Sequence, residues 1–161
     1  MLRITDKEAR ALGYIYGLVS AKMPEEYDRS GAKYTQAMQY PFVGFGQITA
    51  WGHKYRVITQ EMNDMIADIS TDIDTIPEGS MAEQFLPLEQ QSIWMLAYYA
   101  GLNGKPYFDI ARAREQAGMS QEELAEKLGV PQSSVSRWES GKVQPRAETL
   151  DKIRAILDVN K

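Results

Sequence analysis

The chain has no cysteine, a single histidine and no long apolar run. Without cysteine there are no disulfides, no thiol nucleophile and none of the usual structural zinc sites. His53 has no helical His partner, so it is a poor metal ligand, and it leaves any His-dependent triad with one base and no nucleophile motif beside it. The apolar stretch around residues 13–19 is too short to span a bilayer, and Asp6 and Glu8 spoil it as a signal peptide. No low-complexity segment argues for long disorder. A soluble cytoplasmic protein with no membrane contact, no cofactor, no metal and no catalysis is the expectation. Strong basicity is missing too: the net charge is −4. Residues 1–104 carry eight Lys/Arg against thirteen Asp/Glu, about −5, and residues 105–161 carry ten against nine, about +1. The acidity therefore belongs to the first part, and the second is only weakly basic.

What is present begins with a capping box, Thr5 and Glu8, opening a helix that should run to about Lys22, ahead of Pro24. Along it Ala9, Gly13, Gly17 and Ala21 recur every four residues and leave one flank nearly bare. Glycine inside a helix costs roughly 0.5–1 kcal/mol relative to alanine, so two of them suggest close approach of a neighbouring helix, by default within the same chain. Residues 34–52 are rich in aromatics and glycine: Tyr34, Tyr40, Phe42, Phe45 and Trp51, with Gly44, Gly46 and Gly52. Pro41 argues against one uninterrupted helix. Packed core with irregular turns is the commoner outcome for such a segment, and a ligand pocket lined by the rings is the alternative. From about His53 to Ser70 a long amphipathic helix is expected, with Tyr55, Ile58, Met62, Met65 and Ile69 as its apolar seam. Opposite lie Glu61, Asp64, Asp68 and Asp72. Stacked carboxylates can hold a divalent metal for phosphoester hydrolysis, but such a row is more often a solvated face. Pro87 opens a helix to about Tyr99 whose apolar residues run almost all the way round, as in a central helix.

Gly101, Gly104 and Pro106 mark a boundary. The expected organisation is a helical domain at 1–100, a linker at 101–106 and a second domain at 107–161. In the second, Ser120 and Glu123 form another capping box, and Leu124, Ala125 and Leu128 give the following helix its buried face. The small Ala125 suits two helices crossing steeply. Gly129 takes the position of a left-handed helix end, and Pro131 sits at the first turn of the next helix, where its missing N–H costs nothing. In that helix Val135 and Trp138, three apart, face inward, so Trp138 is core rather than a stacking residue. Gln132, Ser133, Ser136 and Arg137 remain outside. Gly141 stops it, and a last helix from about Ala147 turns Leu150, Ile153 and Leu157 to the core. Two short helices joined by a glycine-bearing turn are a helix-turn-helix signature, whose second helix enters the DNA major groove. Gln, Arg and Ser are side chains that read base edges there, although each is also an ordinary solvated residue.

With these residues in place, 107–158 closely resembles the XRE-like helix-turn-helix domains of the phage repressor and Cro type. The resemblance implies base contacts by Gln132, Ser133 and Arg137, phosphate contacts by Gln121, Ser134, Ser140, Lys142 and Arg146, and an internal ion pair between Arg114 and Glu139. The whole is then an all-α protein, with an N-terminal helical domain ahead of a repressor-like domain of four helices. Its implied partner is double-stranded DNA, bound as a homodimer on a palindromic operator to repress transcription. Many relatives continue into a fifth helix that supplies dimer contacts, whereas this sequence ends at Lys161. Dimerisation is therefore expected from the N-terminal part, through the bare flank of the first helix or the Tyr55–Ile69 seam. An antitoxin-type autoregulator, with residues 1–104 holding a partner protein, is the alternative.

Overall fold

A computed structural model of the chain describes residues 4–24, 27, 31–71, 73, 85–105 and 107–157. Among the described residues there are nine helices and no strand. The chain divides into two compact units, Met1–Tyr107 and Phe108–Lys161.

In the first unit, α1 (Asp6–Ser20) starts at Thr5 with both halves of the capping box formed. The Glu8 amide donates to Thr5 Oγ1 at 3.2 Å, and the Thr5 amide donates to Glu8 Oε2 at 2.7 Å. Eleven of its fifteen residues are buried, because α3, α4 and α5 all pack on it. The central helix is thus α1. The helix opened by Pro87, α5 (Leu88–Leu102), buries Ile93, Trp94, Ala97, Tyr98 and Gly101 but leaves Leu88, Met95, Leu96 and Tyr99 outside. The expectation of a central α5 is corrected on this point. It also runs past the expected boundary, so Gly101 belongs to a helix and not to a linker, while Pro106 lies outside the described residues.

Glycine explains why α1 and α5 come so close. A Cβ on Gly13 would collide with the carbonyl oxygen of Trp94, one on Gly17 with that of Tyr98, and one on Gly101 with that of Tyr14. The bare flank of α1 is therefore filled by α5 of the same chain. It offers nothing to a dimer partner, which overturns one of the two dimerisation surfaces expected from the sequence.

The aromatic segment is helical rather than irregular. After α2 (Gly31–Gln39), Pro41 opens α3 (Pro41–Lys54) at its first turn, where a proline needs no N–H partner. The two form a hairpin in which Gly44 lies against Ala37. Their rings enter the core: Tyr34 packs on Trp94 and Tyr98 at centroid distances of 5.5 and 4.8 Å, and Tyr27 meets Trp51 edge-on at 5.4 Å.

The helix expected from His53 to Ser70 is two pieces. α3 ends at Lys54, and α4 (Gln60–Ser70) begins after the N-cap Thr59. Between them Arg56 is left-handed, φ 55°. Its amide donates to the His53 carbonyl, and the Val57 amide donates to the Gly52 carbonyl, each at 3.0 Å. This pairing is a Schellman stop, here with arginine where glycine is usual. The turn folds Ile58 back onto Gly52. Met62 and Ile69 are then buried and Met65 and Ile66 half-buried, whereas Tyr55 is exposed. The seam thus faces this unit's own core, and the second expected dimer surface is also occupied from within.

The second unit holds α6 (Ile110–Gln116), α7 (Gln121–Leu128), α8 (Gln132–Glu139) and α9 (Ala147–Ile156) around Ile110, Leu124, Ala125, Val135, Ile153 and Leu157.

Candidate nucleic-acid interface

The geometry of α7 and α8 follows from their ends. Ser120 caps α7, accepting from the Glu123 amide at 3.1 Å while Glu123 Oε2 accepts from the Ser120 amide at 2.7 Å. Those bonds to Ser120 hold the Glu123 carboxyl below the usual carboxylate range. At the other end Gly129 is left-handed, φ 68° and ψ 34°, and the Val130 amide reaches back to the Ala125 carbonyl at 3.0 Å. The chain reverses there, and Pro131, extended at φ −62° and ψ 144°, stands as the N-cap of α8.

The packing of α8 fixes its rotation. Val135 is fully buried and Trp138 packs against the same core. Gln132, Ser133 and Arg137 are exposed on the other side, Ser134 and Ser136 are half-buried, and Lys142 and Arg146 are exposed in and after the turn that follows. Ser140 is half-buried and its hydroxyl donates to the Arg137 carbonyl at 3.1 Å. Between Gln132 and Arg146 the only acid is Glu139, and that carboxylate is bound to arginine.

The Arg114–Glu139 pair is present and nearly enclosed, with side chains 11% and 6% exposed. Arg114 donates from Nε to Glu139 Oε1 at 2.6 Å and from Nη2 to Oε2 at 3.2 Å. Its third donation, from Nη1, goes to the Met119 carbonyl at 2.6 Å. The hydrogen bonding of Arg114 to the Glu139 carboxylate raises the affinity of this guanidinium for its proton still further, against the opposing effect of burial.

The pair also extends outward, which the sequence reading missed. Gln121 donates from Nε2 to Glu139 Oε2 at 2.7 Å, and its Oε1 accepts from Gln132 Nε2 at 2.6 Å. A continuous chain thus links α6, the start of α7 and the exposed start of α8. A signal did exist, since glutamine is the first helical residue of both α7 and α8. After this bond Gln132 keeps one amide hydrogen and its carbonyl oxygen. One donor and one acceptor are what adenine presents a complement to in the major groove.

The other singled-out residues lie in the first unit. Glu61, Asp64 and Asp68 are exposed on α4, with Gln60 donating to Asp64 at 2.9 Å, and Asp72 lies outside the described residues. Among the described residues no group of three or more His, Asp or Glu is placed to hold a metal ion. His53 is exposed in the last turn of α3. No described helix is long and apolar enough to cross a membrane.

Helices α6 to α9, with α8 presented outward beyond a glycine-bearing turn, form a helix-turn-helix unit. Residues 110–161, about the last third of the chain, match the family model described as Helix-turn-helix. No curated protein and no solved structure matches the chain.

Proposed function

We propose that this protein is a sequence-specific transcriptional regulator, a repressor that binds a palindromic operator as a homodimer. The observation that carries the reading is the rotation of α8. Val135 and Trp138 lock one side to the core while Gln132, Ser133 and Arg137 stand free of it on the other. In this reading Gln132 and Arg137 read adenine and guanine edges, and Ser133 and Ser136 contribute shorter contacts. Gln121, Ser134, Lys142 and Arg146 hold phosphates and fix the register of the helix on the duplex, and Ser140 joins them once its hydroxyl turns from the Arg137 carbonyl. Arg114 and Glu139 hold the scaffold.

The near-neutral charge of the second unit supports the dimer. Few phosphates are neutralised per copy, so non-specific hold on DNA is weak, and two units on one duplex compensate by binding half-sites about 34 Å apart. Selection of bound sequences from random duplex DNA tests the reading. An inverted repeat with half-sites about one turn apart is expected; recovery of no enriched sequence would refute it. Enrichment of a single unrepeated half-site would keep the DNA reading and remove the homodimer.

A further inference from the structure

The outer face of α5 carries an apolar stripe that no other described element of the first unit covers. Leu88 is 80% exposed, Tyr99 50%, Leu96 39% and Met95 37%, and Phe85, just ahead of the helix, is 52% exposed. At 100° per residue Met95, Leu88 and Tyr99 fall within about 40° of one another, with Ser92 beside them and Leu96 on the flank. Single exposed apolar residues are ordinary, but a contiguous row of large ones marks a contact surface. Phe85 is itself held in place by an edge-on contact with Tyr40 at 5.8 Å.

We infer that this stripe is the homodimer interface, in which α5 packs antiparallel on α5 of a second copy about a twofold axis near Ser92. The spacing of the residues favours this occupant. Leu88 and Leu96 stand four residues either side of Ser92, and Phe85 and Tyr99 stand seven either side. An antiparallel pairing centred there sets Leu88 of each copy against Leu96 of the other, and Phe85 against Tyr99. The small Ser92 falls on the axis, where two helices need room. A twofold interface must be self-complementary in this way. Among the described residues of α5 the one charge is Glu89, at the stripe's margin, so the helix itself offers no charged face to a basic or acidic partner.

The area agrees. Five large side chains, each of the order of 200 Å² and about half exposed, offer roughly 500 Å² per copy. Two copies bring together roughly 1,000 Å², the lower end of what sustains a specific interface. The choice of a second copy also rests on the DNA-binding reading, which needs two helix-turn-helix units on one duplex.

Sedimentation of the full chain without DNA tests the interface. The native protein should dimerise, and Leu88→Lys and Leu96→Glu should each raise the dissociation constant at least about tenfold by burying an unpaired charge. Mixing the two variants in equal amounts should restore a dimer, because the introduced lysine of one then faces the introduced glutamate of the other. A native monomer at 100 μM, a dimer indifferent to both changes, or a mixture no tighter than either variant alone would each overturn the proposal. Binding of the selected DNA is read separately. A monomeric Leu88→Lys variant that still prefers one half-site shows that the DNA reading holds independently of the interface. A native dimer with no sequence preference shows the reverse.

Discussion

Arg114 grips Glu139 through two hydrogen bonds, and the same carboxylate accepts a third from Gln121, whose own oxygen accepts from Gln132. An enclosed ion pair in the frame of the second unit is therefore continuous with an exposed side chain on α8. Without Glu139 the nearly enclosed Arg114 guanidinium is left with Glu115 at 3.6 Å and the Met119 carbonyl, and breaking such a pair costs up to about 3–5 kcal/mol. Glu139→Ala should accordingly lower the stability of α6–α9, seen as faster amide hydrogen exchange there, while exchange in α1 and α5 stays unchanged. Equal protection of α6–α9 in the variant would mean the pair carries no stability.

The exposed cations of the second unit divide by what they are expected to touch. Arg137 lies on the outward face of α8, so Arg137→Ala should cost about 1–3 kcal/mol in operator affinity and relax preference at one base pair. Lys142 and Arg146 lie in and after the turn beyond it. Lys142→Ala and Arg146→Ala should weaken all sequences alike and reduce the salt slope of binding by about 1 each. Titrations at several salt concentrations on the selected operator and on a scrambled duplex separate the two classes. A salt slope unchanged in both variants would remove these residues from the phosphate contacts.

Much of the second unit was legible because its determinants are local. Ser120 with Glu123, Gly129 before Pro131, and Val135 three ahead of Trp138 each fix a helix end or a buried face within a few residues. The capping box at Thr5 and Glu8 was legible for the same reason. In the first unit the deciding facts are tertiary. The periodicity from Tyr55 to Ile69 is unbroken in the sequence, yet Arg56 takes a left-handed conformation that favours glycine, and the helix ends there. The outward stripe on α5 reads as core by composition alone, since Leu88, Met95 and Leu96 are indistinguishable in type from Ile93 and Ala97. Only the approach of α1, admitted by Gly13 and Gly17, determines which side faces inward. The Gln121–Gln132 link escaped notice because it joins two helix starts eleven residues apart.

Two glycines in helix interiors should respond in opposite senses to alanine. At Gly17 a Cβ meets the Tyr98 carbonyl and the Leu102 amide, both backbone. Neither can move without separating α1 from α5, so Gly17→Ala should destabilise the first unit by about 1–3 kcal/mol or more. Gly46 on α3 has nothing within 4 Å of its Cβ position, and Gly46→Ala should stabilise by about 0.5–1 kcal/mol through helix propensity alone. Urea denaturation of both variants decides it, and a stabilised Gly17→Ala would show that the two helices are not held in close contact.

At Arg56, φ 55°, the backbone is in a region that costs a non-glycine residue about 1–2 kcal/mol. Arg56→Gly removes this strain, and the freer unfolded chain returns roughly half of the gain. The melting temperature should rise by a few degrees, corresponding to about 0.5 kcal/mol. A fall would indicate that the arginine side chain itself holds the turn.

Tyr34 provides the pH test. Its hydroxyl is buried and has no hydrogen-bond partner among the described residues, and its pKa is pushed up from 10.0 to about 12, first by burial and then by the neighbouring Tyr99 and Tyr98. Below pH 10 the phenol is neutral in both the folded and the unfolded chain, and stability is unaffected by it. Between pH 10 and about 12 the unfolded chain loses this proton first, so the contribution to folding falls as the pH rises through that interval. Tyr34→Phe should remove one late-titrating phenolate from the absorbance titration and flatten the loss of stability over the same range. At neutral pH the variant should be as stable as the native protein or slightly more so, because no hydrogen bond is lost and a buried polar atom is removed. Tyr16 makes the contrast: its hydroxyl is 3.0 Å from that of Tyr27 in a buried pair, so Tyr16→Phe should cost about 1 kcal/mol. A Tyr34→Phe variant destabilised as much as Tyr16→Phe would reveal a partner for the Tyr34 hydroxyl and restore an ordinary titration to it.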